Sequence, residues 1–239
     1  MCTATWLIRS DGFELFFNRD ESRRRGPASA PERHERDGVR LLAPRDTDAG
    51  GTWLGVNEHG LALGLLNGRD VGAAPEEPRS RGWLVHELLS ARDGDELRAR
   101  LARQALGRHR GFLLTLFEPG REPWLFTWDG TRLVAERPVA PLCSSSLDRG
   151  RAQRERERLY REQVEAEAPT RESLERFHAS HEPARGPWSP CMHRDDARTV
   201  SSSQVRVDAR SVALRYAPGP PCRTPFGPWL ELDRVERAG

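Results

Sequence analysis

Two short apolar, β-prone runs open the chain at residues 3–8 and 13–17, joined by Arg9-Ser10-Asp11-Gly12. An Asp-Gly step between such runs favours a tight turn, so the pattern predicts a hairpin. Residues 22–37 are polar and charged, contain Gly26, Pro27 and Pro31, show no periodicity, and are expected to be loop. Residues 41–43 allow a short strand. A second hairpin is expected over residues 50–67, turning at Glu58-His59-Gly60, with Gly60 free to take a positive φ. Its second arm, residues 61–67, is apolar on nearly every position, which implies burial on both faces within a layered sheet.

The period then changes. Leu84, Val85, Leu88 and Leu89 share one helical stripe, and Leu97, Leu101 and Ala105 recur every fourth residue after Asp93-Gly94-Asp95, which predicts two successive helices. Residues 112–117, 124–128 and 132–136, separated by Pro119-Gly120 and Asp129-Gly130, predict a three-stranded meander. Asp148 is placed to cap a long charged helix running to about residue 167, followed past Pro169 by another over 170–178. Strands are expected again at 199–207 and 211–216, ahead of a Pro-rich tail. This order fits an α+β fold in four layers, two antiparallel sheets face to face with helices outside. With 239 residues, no internal repeat and no low-complexity linker, one domain over residues 1–239 is expected.

Composition narrows the partners. All 38 cationic side chains are Arg, and the formal net charge is +2. Arg alternates with Asp and Glu, as in Arg154-Glu155-Arg156-Glu157-Arg158, which reads as a solvated face and gives no nucleic-acid footprint. No apolar run approaches a membrane span or a signal-peptide core, so a cytoplasmic protein is expected. Cys2, Cys143, Cys191 and Cys222 form no CxxC pair, so neither a disulfide framework nor a zinc finger is indicated. His178, His181, Cys191 and His193 carry metal-ligating atoms, but the long polar gap between them argues against a site, and no metal or cofactor is expected. Gly50-Gly51 lacks the residues of a phosphate loop. The seven Trp, Trp53 among them, are expected mainly in the core.

The strongest candidate chemistry lies at Cys2. Removal of Met1 would put a thiol and a free α-amine on one residue, and one hairpin later the chain turns polar at Asn18-Arg19-Asp20-Glu21. A thiol attacks as thiolate and needs a neighbouring base or cation. The α-amine, with an ordinary pKa of about 7.7 to 8.0, can be that base. Asn67, ending a buried strand, either presents amide donors to a developing oxyanion or caps the strand. Arg198, ahead of a Ser-rich strand, is either a second cation facing the pocket or a surface ion-pair partner.

Met1-Cys2-Thr3, Asn18-Arg19-Asp20-Glu21, Gly50-Gly51-Thr52-Trp53-Leu54-Gly55-Val56-Asn57, Leu66-Asn67 and Arg81-Gly82-Trp83-Leu84-Val85 resemble the NRDE family, also called the transport and Golgi organisation protein 2 family. The likeness is dense over residues 1–90 and thinner beyond, where Ser144-Ser145-Ser146-Leu147-Asp148 and Arg198-Thr199-Val200-Ser201-Ser202-Ser203 follow in order. That family is similar in turn to the N-terminal-nucleophile hydrolases of the penicillin V acylase and bile salt hydrolase group. The resemblance implies an αββα sandwich, with Cys2 as nucleophile and base, Arg19 as the thiolate's cation and Asp20 as the acceptor that orients the α-amine. Asn67 would serve the oxyanion, and Asn18, Trp53, Ser144 and Arg198 would bind substrate. Where the acylases place an Asn, this chain offers the hydroxyls of Ser144 and Ser145, which donate one hydrogen bond each. The activity implied is cleavage of a small, linear, hydrophobic acyl amide. The alternative is a family member that binds or transfers a lipid-like or haem-like molecule.

Overall fold

A computed structural model describes residues 2–235. In chain order the elements are β1 (Cys2–Arg9), β2 (Gly12–Ser22), β3 (Ser29–Arg36), β4 (Val39–Arg45), β5 (Leu54–Asn57), β6 (Ala62–Asn67), α1 (Arg81–Leu88) and α2 (Gly94–Ala102). Next come β7 (Phe112–Phe117), β8 (Trp124–Trp128), β9 (Leu133–Glu136), β10 (Leu142–Ser144), α3 (Arg149–Tyr160) and α4 (Arg171–Ala179). β11 (Ala197–Val207), β12 (Ser211–Ala217) and β13 (Leu230–Asp233) follow. One sheet runs β10-β1-β2-β11-β12-β13 and the other runs β3 to β9 in sequence order. Every pairing among the described residues is antiparallel.

Strand alternation builds the layers. Ala4, Phe13, Leu15 and Phe17 point between the sheets, where they meet Val56, Leu66 and Phe117. Phe16, on the opposite face of β2, packs with Leu159, Tyr160, Leu174 and Phe177 of α3 and α4. Leu84, Val85 and Leu88 of α1 cover the outer face of the other sheet against Leu63, Leu65 and Leu114. The product is the expected αββα arrangement.

The structure departs from the sequence expectations in three places. β3 falls where a loop was expected: it is an edge strand paired only with β4, so its Glu and Arg side chains stay in solvent and leave no apolar period. Its turn was nevertheless written in the chain, since Asp37 and Gly38, with φ of 54° and 75°, are the two central residues of the hairpin. β10 and β13 were not expected, being three and four residues long. The long charged helix ends as an α-helix at Tyr160 and continues as a π-helical turn over Arg161–Glu165.

His178 is buried between the six-stranded sheet and its helices, stacked on Phe16 with Nε2 2.8 Å from Thr5 Oγ1. Burial, with the charge of Arg156 adding to it, pushes its pKa down to about 3 from an ordinary 6.5. Between those values the unfolded chain binds the extra proton. The resulting stability is present above about pH 6.5 and is lost as the pH falls toward 3. Urea unfolding at about pH 7 and about pH 5 should therefore show a drop that His178→Gln reduces; an equal drop in both proteins would contradict this.

Candidate active site

Cys2 lies inside the six-stranded sheet, opposite Ser144 of β10 on one side and Arg19 of β2 on the other. Cross-strand partners share a face, so Ser144, Cys2 and Arg19 form one row directed between the sheets. The next row, Cys143, Thr3 and Asn18, faces the helices. Alternation thus separates the two cysteines: Cys2 lines a cavity of about 320 Å³, and Cys143 does not. Arg19, Asp20, Trp53, Asn67 and Arg81 share that cavity wall.

Two glycines bring Arg81 there. A Cβ on Gly51 would stand 2.7 Å from the Gly82 Cα, and one on Gly82 would stand 2.9 Å from the Thr52 nitrogen. Only their absence lets the start of α1 close against the segment before β5, where Thr52 N–H donates to the Gly82 carbonyl at 3.1 Å.

The Cys2 main-chain N–H donates to Ser144 Oγ at 3.0 Å. Ser144, expected to contact substrate, thus also holds the main-chain nitrogen of Cys2. The backbone N–H of Asp20 is directed at the Cys2 sulfur. Burial pushes the thiol above its ordinary value, the Asp20 charge adds to that, and the Arg19 charge acts in the opposite sense. Arg19 is held by Asp46 at 2.8 Å and Glu21 at 3.4 Å, with its guanidinium carbon 4.3 Å from the Trp53 ring centre. Trp53 so fixes the cation by stacking. Its indole N–H is buried and has no acceptor among the described residues.

Asp20 turns its carboxylate the other way. Oδ1 accepts from Thr199 Oγ1 at 2.6 Å, and Oδ2 lies 3.7 Å from Nη2 of Arg156, with both of these side chains fully buried. Burial pushes the Asp20 carboxyl up, and Arg156 and the Thr199 hydroxyl oppose it. Arg156 also donates to Thr3 Oγ1 at 2.6 Å, to the Ser189 carbonyl at 2.9 Å and to the Cys2 carbonyl at 3.5 Å. Sequence reasoning placed it on a solvated face, and the structure corrects this: Arg156 is the largest fully buried side chain among the described residues. The missed signal was helical spacing, because Ala152, Arg156 and Tyr160 stand four apart on the buried stripe of α3.

The remaining candidates divide. Asn67, last in β6 and exposed, opens onto the cavity. Asn18 does not reach it: fully buried on the helix side, it donates to the carbonyls of His178 at 2.8 Å and Pro190 at 3.0 Å. Arg198 is opposite Glu21 across β11 and β2 and is not part of the cavity wall. Strand alternation turns Asn18 away from the cavity, whereas Arg198 shares the face of Glu21 and stands beyond the stretch of wall that Cys2 lines.

The fold is similar to those of two solved structures, a bile acid hydrolase and an acid amidase. A mutant of the conjugated bile acid hydrolase from Clostridium perfringens superposes with a TM-score of 0.58 at 11 % identity, covering 98 % of this chain and 92 % of that one. The Caenorhabditis elegans ortholog of N-acylethanolamine-hydrolyzing acid amidase gives 0.52 at 14 % identity, covering 85 % and 92 %. At such identities the likeness defines a class by fold, the N-terminal-nucleophile-hydrolase-like αββα sandwich. Within that class the sequence profile of Transport and Golgi organisation 2 matches residues 1–182, and the chain belongs to that family. No curated protein matches the chain.

Removing the Arg156 charge while keeping its bulk, Arg156→Met, should cost about 3–5 kcal/mol in urea unfolding, because the Asp20 carboxylate is left buried without its cation. Arg158→Ala, at a half-exposed neighbouring position, should change stability by no more than about 0.5 kcal/mol. Equal losses in the two variants would contradict the buried pair.

Proposed function

We propose that this protein is a cysteine N-terminal-nucleophile amidohydrolase that cleaves the C–N bond of a small acyl amide bearing an anionic group. The observation that carries the reading is the row Ser144-Cys2-Arg19, which holds a thiol in a cavity wall between a main-chain anchor and a cation.

Removal of Met1 supplies the base. The freed α-amine takes the thiol proton, the Cys2 sulfur attacks the amide carbonyl, and the charge collects on oxygen. Asn67 offers an amide donor on that wall. The α-ammonium returns its proton to the departing nitrogen, leaving an acyl thioester on Cys2. Water, deprotonated by the same amine, then releases the acid. Arg19 favours thiolate over thiol throughout.

The cavity chemistry bears on the substrate. Arg19, Arg25, Arg79 and Arg110 each have a carboxylate partner, at 2.8, 2.8, 2.5 and 3.3 Å. Arg81 donates to the Gly111 carbonyl at 2.7 Å and has no carboxylate within ion-pair distance among the described residues. Burial and the charge of Arg110 press its pKa down, and Asp70 and Glu21 oppose them only in part. A carboxylate or comparable anion on the substrate supplies the missing partner. A wall this rich in charge supports such a ligand better than the purely hydrophobic one expected from sequence, and supports the carrier reading less.

Chain lacking Met1, confirmed by intact mass, should turn over an acyl amide from a panel with carboxylate-bearing and neutral leaving amines. Cys2→Ala should abolish turnover and Cys143→Ala should retain it. Arg81→Met should raise KM for the carboxylate-bearing amide by on the order of tenfold while leaving the neutral one little changed. Turnover that survives in Cys2→Ala, or tight ligand retention with no turnover of any amide, would overturn the reading.

A further inference from the structure

Behind the candidate active site, four side chains from three separated stretches of sequence converge. His181 follows α4, Cys191 and His193 lie in the irregular segment before β11, and Cys222 comes after β12. Each offers one ligating atom, and these four atoms all lie within 4.8 Å of one another. His193 Nε2 stands 3.5 Å from the sulfur of Cys191 and 3.5 Å from that of Cys222. Tetrahedral zinc, with bonds of about 2.3 Å to sulfur and about 2.0–2.1 Å to nitrogen, sets sulfur and nitrogen about 3.5 Å apart. The two edges from His193 to the sulfurs already have that length. An independent observation points inward as well: His181 Nε2 is buried and has no hydrogen-bond partner among the described residues. Its ring meets that of His193 edge to face with centroids 5.0 Å apart.

We propose that His181, Cys191, His193 and Cys222 bind one zinc ion in a closed, tetrahedral Cys2His2 site with a structural role. Two thiolates and two neutral imidazoles make the centre electrically neutral, which suits a neighbourhood containing Arg23, Arg185 and Arg223. Binding displaces one proton from each thiol to solvent, and no redox step is involved. Four protein ligands leave no open position for substrate or water, unlike a catalytic zinc.

The sequence expectation against a metal weighed His178 with His181, Cys191 and His193. The fold removes His178, which contacts Thr5, and supplies Cys222 from 29 residues beyond His193. The site also has something to hold. Cys191 N–H donates to the Ser180 carbonyl at 3.0 Å, and Met192 N–H donates to Thr199 Oγ1 at 2.8 Å, the hydroxyl that donates to Asp20. The zinc would pin the segment that steadies the Asp20 carboxylate from behind.

The test is metal content of the full chain purified from zinc-supplemented cells without a polyhistidine tag. About one zinc per chain is expected, lost from His181→Gln and from Cys222→Ser. Because those variants risk misfolding, wild-type protein is also stripped with a chelator and titrated with cobalt(II). Thiolate-to-cobalt charge transfer with the intense visible bands of tetrahedral cobalt is expected, together with a thermal midpoint that falls on stripping and recovers on adding zinc. Absence of stoichiometric zinc together with a cobalt spectrum lacking thiolate bands would overturn the proposal. So would metal that both variants retain, or a Cys191–Cys222 disulfide found by intact mass in protein from reducing cytosol.

Discussion

A carboxylate and a guanidinium, Asp20 and Arg156, are buried together without solvent, 3.7 Å apart, directly behind the Cys2 main chain. Neither charge is tolerable there alone. The fold answers by surrounding the pair with fixed donors and acceptors: Thr199 on Asp20, and Thr3 with the carbonyls of Cys2 and Ser189 on Arg156. Through those bonds α3, the start of β1, the end of β2 and the segment ahead of β11 become mutually dependent. The position of the Cys2 sulfur at the cavity follows from that dependence.

Strand alternation then assigns the work of Asn18-Arg19-Asp20-Glu21. Arg19 and Glu21 face the cavity, where they pair at 3.4 Å. Asn18 and Asp20 are turned toward the helices and hold backbone and charge on that side. One tetrapeptide thereby presents a cation to the thiol on one face and locks the supporting layer on the other. Ser144, carried by a strand of only three residues, completes the row by receiving the Cys2 N–H.

Much of the architecture was legible because layered sheets impose period two and their covering helices impose period 3.6. The first hairpin, the doubly buried β6 and the stripe of α1 declare themselves in that way. What escaped was written without apolar contrast: β3 is a charged edge, β10 and β13 are too short for a period, and Arg156 hides among like-looking charges. At the site, Cys2, Arg19, Asp20, Trp53 and Asn67 line one cavity, because the start of β1, the last residues of β2, the approach to β5 and the end of β6 converge there. Asn18 does not join them, since its residue type was informative and the direction of its side chain was not, and Arg198 lies on the same face as Glu21 but beyond the cavity wall. The His-Cys cluster could not be assembled from spacing, as Cys222 reaches it only through the return of β12.

The central claim is that the freed terminus and Arg19 together make Cys2 a nucleophile. The direct measurement is the pH dependence of iodoacetamide alkylation at Cys2 in chain lacking Met1, read by peptide mass spectrometry. Cys143, buried on the helix face with its pKa pushed up to about 11, serves as the internal reference. Cys2 is expected to alkylate readily below about pH 7 while Cys143 stays unmodified. A Cys2 as slow as Cys143 across that range would contradict the account.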